Sequence, residues 1–319
     1  MRDIKDIFEK VDAILIKSPD ENFFYFTRYH GMWENSFAIV FPDKIEVIAP
    51  PLEEGKAHFY KNKEEMEKLL KKILNVEKIG FNGAILPHND FLYLKRLLKV
   101  KFVDVSKELK YLRLIKRSDE IAAIKRACRL SLKILDETEV EEKSEKEVVY
   151  FIECEMRKRD ALPAFPTIVA FGKNTASPHH IPENKKFVTP ALIDMGAKYR
   201  GYCSDITRSF VEGRGRKLYE IVESGLYLAI DEMREGAKAK EVYKKVENFF
   251  AKYGYKMRHA LGHSIGINVH DGYSINEKAD FVLKENMVFA VEPAIYLKNY
   301  GIRIEEDVVI RKNKAEIIR

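Results

Sequence analysis

Cysteine is scarce in this chain, 3 among 319 residues. Cys128, Cys154 and Cys203 form no Cys-x-x-Cys pair and cannot all be bridged, which excludes the disulfide framework of a small secreted protein. No apolar run approaches the ~18–20 residues that cross a bilayer, so no membrane partner is expected. The opening Met1-Arg2-Asp3-Ile4-Lys5 scatters charge where a secretory leader would be apolar, and a cytoplasmic setting is the expectation. Charge of one sign is lacking too. The 56 Lys+Arg and 50 Asp+Glu are interspersed, as in Lys61-Asn62-Lys63-Glu64-Glu65, which reads as a solvated surface; no nucleic-acid partner is expected. Low-complexity tracts are absent, and Gly213-Arg214-Gly215 lacks the Gly-Lys-Ser/Thr that would make it a phosphate loop.

What is present suits two domains. Hydrophobic residues make up 46% of the chain, enough to bury a sizeable core. Residues 1–115 read as a small α/β domain. Its strands are predicted at Ala13–Ile16, Phe37–Phe41, Ile45–Ile48 and Ile79–Phe81, with a turn at Pro42-Asp43 and helices over Glu64–Leu74 and Asp90–Leu98. Residues 116–319 segregate helices from strands, the α+β pattern. Ser118 is a candidate N-cap for a helix through Glu137, and Ser144 with Glu147 forms a capping box for the next. Two more helices are predicted near Gly215–Arg234 and Ala239–Tyr253, and the remaining C-terminal segments are strand-like.

Four carboxylates lie within apolar strand-like runs. A hairpin centred between Tyr199 and Arg200 sets Asp194 directly across from Asp205. A second, centred between Lys298 and Asn299, sets Glu292 across from Glu305, and strand alternation turns Glu306 to the opposite face. Facing acids ~4.5–5.5 Å apart repel unless something neutralises them, and a bound cation does so. Two such hairpins imply an internal two-fold character. Histidines gather nearby in sequence: His259 and His263 in a glycine-containing stretch, then His270, with His179 and His180 between two prolines. Oxygen-rich ligands with one imidazole suit a pair of divalent ions, Mn, Co, Fe or Zn.

The motifs Ile193-Asp194-Met195-Gly196, Ser204-Asp205-Ile206-Thr207-Arg208, His259-Ala260-Leu261-Gly262-His263-Ser264-Ile265-Gly266, Val269-His270-Asp271, Val291-Glu292-Pro293 and Gly301-Ile302-Arg303-Ile304-Glu305 resemble, in order and spacing, the pita-bread metallopeptidases, and within them the Xaa-Pro peptidases (prolidase and aminopeptidase P). The resemblance implies a C-terminal pita-bread domain after an RNase-H-like N-terminal one. It implies two divalent metal ions per chain, held by Asp194, Asp205, His263, Glu292 and Glu305, with Asp205 and Glu305 bridging. It further implies attack on an Xaa-Pro bond by a bridging hydroxide, with Glu292 as proton shuttle. His179, His259 and His270 would line the substrate site, His179 and His270 acting on the scissile carbonyl, and Arg303 would join them or order the ligands. A homodimer is implied as well, with Trp33 a candidate for the rim of the pocket.

One departure bears on the substrate. Prolidases of this type often carry an arginine, associated with the substrate's free carboxylate, where this chain has Ser274; Arg258 and Lys298 are candidates to replace it. The expected activity is an Xaa-Pro dipeptidase. The alternatives are an aminopeptidase P acting on longer peptides, a metal-free hydrolase of the creatinase kind, and a non-catalytic binding module. The additional N-terminal domain speaks against a methionine aminopeptidase.

Overall fold

Residues 4–319, except for the side chain of Arg214, are described by a computed structural model. The chain divides into two compact units, one ending at Arg113 and one spanning Leu114–Arg319. Among the described residues no helix is long and apolar enough to cross a membrane.

The N-terminal unit is built on a six-stranded sheet, in the spatial order His58–Phe59, Ile45–Ala49, Phe37–Val40, Ala13–Lys17, Lys78–Phe81, Lys101–Asp104. Alternation along Ala13–Lys17 explains its layers. Ala13 and Leu15 pack with Leu70 and Leu94 of the helices Lys63–Ile73 and His88–Leu98. Ile14 and Ile16 face the other way, onto Phe23, Val105 and Leu109. Both faces are covered, so this central strand is apolar from Ala13 to Ile16. Trp33 is only 1% exposed, hydrogen-bonded through Nε1 to the His30 carbonyl at 2.8 Å and stacked on Tyr29 at 4.6 Å. It belongs to this unit's own core, and the expectation that it rims a pocket is not met.

The second unit uses one plan twice: a helix pair, then antiparallel strands. The helices Ser118–Asp136 and Glu145–Lys158 precede a sheet of Ile168–Phe171, Ala191–Met195 and Ile206–Phe210. The helices Arg216–Glu232 and Ala239–Ala251 precede a sheet ordered Ser274–Ile275, Gly262–Ser264, Val288–Val291, Glu306–Ile310, Ala315–Ile317. The predicted capping box is present: the Ser144 amide donates to Glu147 Oε2 at 2.7 Å and the Glu147 amide to Ser144 Oγ at 3.3 Å. Ser118 is not a cap. Arg117 occupies that position, its amide donating to Glu120 Oε2 at 3.0 Å, and Ser118 is the first helical residue.

Candidate functional site

The two hairpins are both present, but only one has the expected register. Ala294 pairs with Arg303 and Tyr296 with Gly301, while Val291 pairs with Glu306 in the adjoining sheet. One register runs through both ladders and sets Glu292 opposite Glu305, as expected. The ladder breaks at the acids because Pro293 has no amide to donate, and the Glu305 amide donates instead to the Thr207 carbonyl at 3.1 Å.

The first hairpin is shifted by two residues. Its turn is Arg200-Gly201, with φ of 48° and 84°, so Tyr199 faces Tyr202 and Asp194 faces Thr207, not Asp205. Two successive positive φ values define the tight turn that matches strand twist, and glycine favours its second position. Asp205 lies outside the ladder. Its amide donates to Asp307 Oδ2 at 2.9 Å, and the preceding Ser204 amide to Ala197 O at 3.0 Å. Gly196 permits this detour, since a Cβ there would meet the Ser204 carbonyl oxygen at 2.0 Å.

The halves meet at an isolated bridge between Thr207 and Glu305. Thr207 Oγ1 donates to Glu305 Oε2 at 2.6 Å. Asp205, His263 and Glu305 thereby offer ligand atoms within 4.8 Å of one another. His263 Nε2 lies 3.5 Å from Asp205 Oδ2 and 3.8 Å from Glu292 Oε1. Asp194 is reached through Arg303, whose Nη2 donates to Asp194 Oδ2 at 2.6 Å. The rest of that guanidinium serves Thr207 Oγ1, Tyr296 Oη and the Pro178 carbonyl. Arg303 also lines the cleft, and its hydrogen bond to Asp194 braces that carboxylate.

Burial raises the Asp205 carboxyl well above the ordinary range, reinforced by Glu305, Asp194, Asp307 and Glu292. Glu305 is raised by burial and by Asp194 and Glu292, against the pull of Arg303 and Thr207. Asp194 Oδ1 and Asp205 Oδ1 are buried without a hydrogen bond. Crowded acids with idle lone pairs and an imidazole beside them are a donor set that fits divalent cations.

The other histidines divide. His270 stacks on His263, ring centres 3.9 Å apart, and burial with His263 and His179 lowers its pKa to about 4. His259 Nδ1 lies 3.7 Å from Glu292 Oε2, and its Nε2 is buried without a hydrogen bond. His179, His259 and His270 all line one cleft of about 630 Å³ with the carboxylates. His180 also borders the cleft, with its Nε2 2.7 Å from Glu145 Oε2. Phe165, Pro166, Ile181 and Pro182 give the cleft an apolar side. Ser274 pairs with His263 and also lines it; Arg258 lines it, and Lys298 does not. Cys203 is no ligand: its thiol donates to the Ile267 carbonyl at 3.3 Å and burial pushes it up to about 12.

Three residues of the site escaped sequence reasoning. Asp307, fully buried and raised to about 7 by burial, anchors the Asp205 backbone. Thr207 and Tyr296 orient Glu305 and Arg303. The run Glu305-Glu306-Asp307 inside an apolar strand was the available signal for the first of them.

Residues 122–312 match the family model for metallopeptidase family M24, and residues 8–115 that for the creatinase/prolidase N-terminal domain. The chain is 34% identical to an Xaa-Pro dipeptidase of Pyrococcus furiosus over 328 residues, covering 96% of this chain and 92% of the relative. Among solved structures, an X-Pro aminopeptidase from Thermotoga maritima is similar with a TM-score of 0.90 at 29% identity, covering 99% of this chain and 97% of that one. The prolidase from Pyrococcus horikoshii is similar with a TM-score of 0.88 at 29% identity, covering 99% and 96%.

Proposed function

The chain belongs to metallopeptidase family M24, and on that premise we propose that residues 116–319 form the catalytic domain of an Xaa-Pro dipeptidase, a prolidase. The observation that carries the reading is the convergence of Asp205, His263 and Glu305 beside Asp194 and Glu292 in one cleft with histidines on its walls.

Asp194, Asp205, His263, Glu292 and Glu305 would hold two divalent cations, Mn, Co, Fe or Zn. Bound there, the cations would lower the pKa of water and polarise the scissile carbonyl. Glu292, between His259 and His263, takes the proton of the attacking water and delivers it to the departing proline nitrogen. His270 is neutral at pH 7, because its pKa is near 4. Its ring N–H, with that of His179, donates to the carbonyl oxygen as negative charge develops. His259 Nε2, buried and without a hydrogen bond among the described residues, is a third group for the substrate. The apolar side at Phe165, Pro166 and Pro182 receives the proline ring.

Chain length is set at the other end of the substrate. A dipeptide brings a free carboxylate. Of the two guanidinium groups at the cleft, Arg303 is occupied by Asp194 and its neighbours. Arg258 is exposed and forms no ion pair among the described residues, so it takes the role that Ser274 cannot. The second reading is an aminopeptidase P acting on longer peptides, favoured by the neutral Ser274 and by the fold of the Thermotoga maritima enzyme. A cytoplasmic homodimer accompanies either reading.

Hydrolysis of Ala-Pro and Ala-Pro-Ala, measured after chelation and re-addition of each metal, decides between them. Metal-dependent cleavage of Ala-Pro supports the dipeptidase; cleavage of the tripeptide alone supports the aminopeptidase. Full activity after exhaustive chelation would overturn both.

A further inference from the structure

Glu145 opens the helix Glu145–Lys158 and its side chain is wholly buried. A helix-opening glutamate ordinarily points to water. This one receives hydrogen bonds on both oxygens. The Phe171 amide (2.7 Å) and Asn174 Nδ2 (2.9 Å) donate to Oε1; the Glu183 amide (2.8 Å) and His180 Nε2 (2.7 Å) meet Oε2. All four partners come from the segment 171–183. One carboxylate therefore holds both ends of a loop, with His180 fastened between them.

The loop matters because of what it carries. His179 and Ile181, either side of His180 in the chain, both line the catalytic cleft. Ile181 is 82% exposed, so packing does little to hold this stretch in place. The ends of the segment have further ties: the Gly172 amide to the Pro190 carbonyl at 2.7 Å, the Lys146 amide to the Glu183 carbonyl at 3.2 Å and the Gly301 amide to Thr175 Oγ1 at 3.0 Å. Arg303 reaches the Pro178 carbonyl at 3.3 Å, and within 179–181 the side-chain bonds are those of His180 to Glu145 and Asn174. The grouping of Glu145, His180 and Glu183 has the spacing of a metal site. Its chemistry differs: the Glu145 oxygens already face N–H groups, and a cation would have to displace them.

We propose that Glu145 is a positioning residue for peptide hydrolysis. By clamping residues 171–183 through His180 it directs His179 into the cleft. This rests on the reading of the cleft as a peptidase site. A group that orients another without touching substrate is commonly worth ten- to a hundredfold in activity.

The test is a double-mutant cycle on the metal-loaded enzyme, with metal content and amide hydrogen exchange measured on each protein. Glu145→Gln keeps the shape of the side chain but removes an acceptor from the His180 side. It is expected to lower kcat/KM for Ala-Pro roughly tenfold or more, with unchanged metal content. In the His179→Ala background the same substitution is expected to cost less than about twofold, since its effect passes through His179. Equal factors in the two backgrounds, or loss of metal, would overturn the proposal. If Glu145→Gln yields no folded protein, His180→Ala and His180→Gln carry the test. The glutamine restores an N–H toward Glu145, so it should recover activity that the alanine loses; equal activity of the two refutes the clamp. Exchange keeps the two readings apart. Faster exchange at residues 171–183 in Glu145→Gln is expected whichever peptide is cleaved, and unaltered exchange counts against the clamp. Failure of the unsubstituted enzyme to cleave any Xaa-Pro peptide overturns the proposed function.

Discussion

Replacing Asp205 with asparagine should abolish activity and yet stabilise the metal-free protein. The side chain is fully buried and stands among Glu305, Asp194, Asp307 and Glu292, which raises its pKa well above 3.8. Without cations the fold must keep that carboxyl protonated, while the unfolded chain releases the proton. Below about pH 4 both states are protonated and nothing is lost. As the pH rises, the native state binds the extra proton, so stability falls by about 1.36 kcal/mol per unit. The loss accumulates from pH 3.8 upward until the native carboxyl itself ionises. Asparagine has the same shape and carries no proton to lose; like the acid, it leaves one buried polar atom idle. For a domain of this size each kcal/mol corresponds to roughly 2–4 °C in Tm. The assay is thermal melting in excess chelator at pH 4 and pH 7.5, for the unsubstituted protein and Asp205→Asn. The variant should melt higher at pH 7.5, equally at pH 4, and fail to hydrolyse Ala-Pro with any metal. A variant that melts no higher at pH 7.5, or higher by the same margin at both pH values, would refute the reasoning.

Arg258→Gln should raise KM for Ala-Pro about tenfold or more, on the scale of a charged hydrogen bond, and leave the KM for Ala-Pro-amide unchanged; steady-state kinetics on the two substrates checks it. The His270 ring resonances of the metal-free protein should titrate near pH 4 instead of 6.5, with the ring neutral above that point, as NMR across pH 3–8 would show. Gly196→Ala would drive a Cβ to 2.0 Å from the Ser204 carbonyl and 2.7 Å from Phe165; the backbone must yield, and a loss of several kcal/mol on denaturation together with weakened metal binding is expected.

The second hairpin was legible because its cues were local and mutually consistent. The polar break around Lys298-Asn299 has one centre compatible with the flanking alternation, and the Leu297 amide closes it onto the Tyr300 carbonyl at 2.8 Å. The first hairpin turns at Arg200-Gly201, one residue beyond the expected centre. Alternation alone could not reveal the error, since the resulting shift of two residues keeps every side chain on its own face. The deciding cue was Gly201, whose positive φ fixes the turn. The longer predicted strands and helices were legible through periodicity, because each has one or two apolar faces to bury, whereas Glu21–Thr27, His58–Phe59, Lys101–Asp104 and Ser106–Leu114 were not foreseen. The parts played by Glu145 and Asp307 were not legible either. Glu145 looks locally ordinary, a helix-opening acid, and the acidic run that holds Asp307 does not say what it binds. Their partners lie 26–38 residues away for Glu145 and 102 residues away for Asp307 and the Asp205 amide. Only the folded chain brings those together.

The bridge between Thr207 and Glu305 also bears on the order in which the domain forms. Its hydrogen-bonded partners are 98 residues apart, so the contact belongs to the late, high-entropy stage of chain closure. A nascent chain that has completed its first half presents Asp194 and Asp205 without Glu305, Glu292 or His263. With the proposed ligand set, high-affinity ion uptake would require both halves to have joined, and by mass action the ions would then hold that junction shut. Tight metal uptake during refolding should therefore coincide with the last structural phase, making ion capture a natural clock for completed assembly.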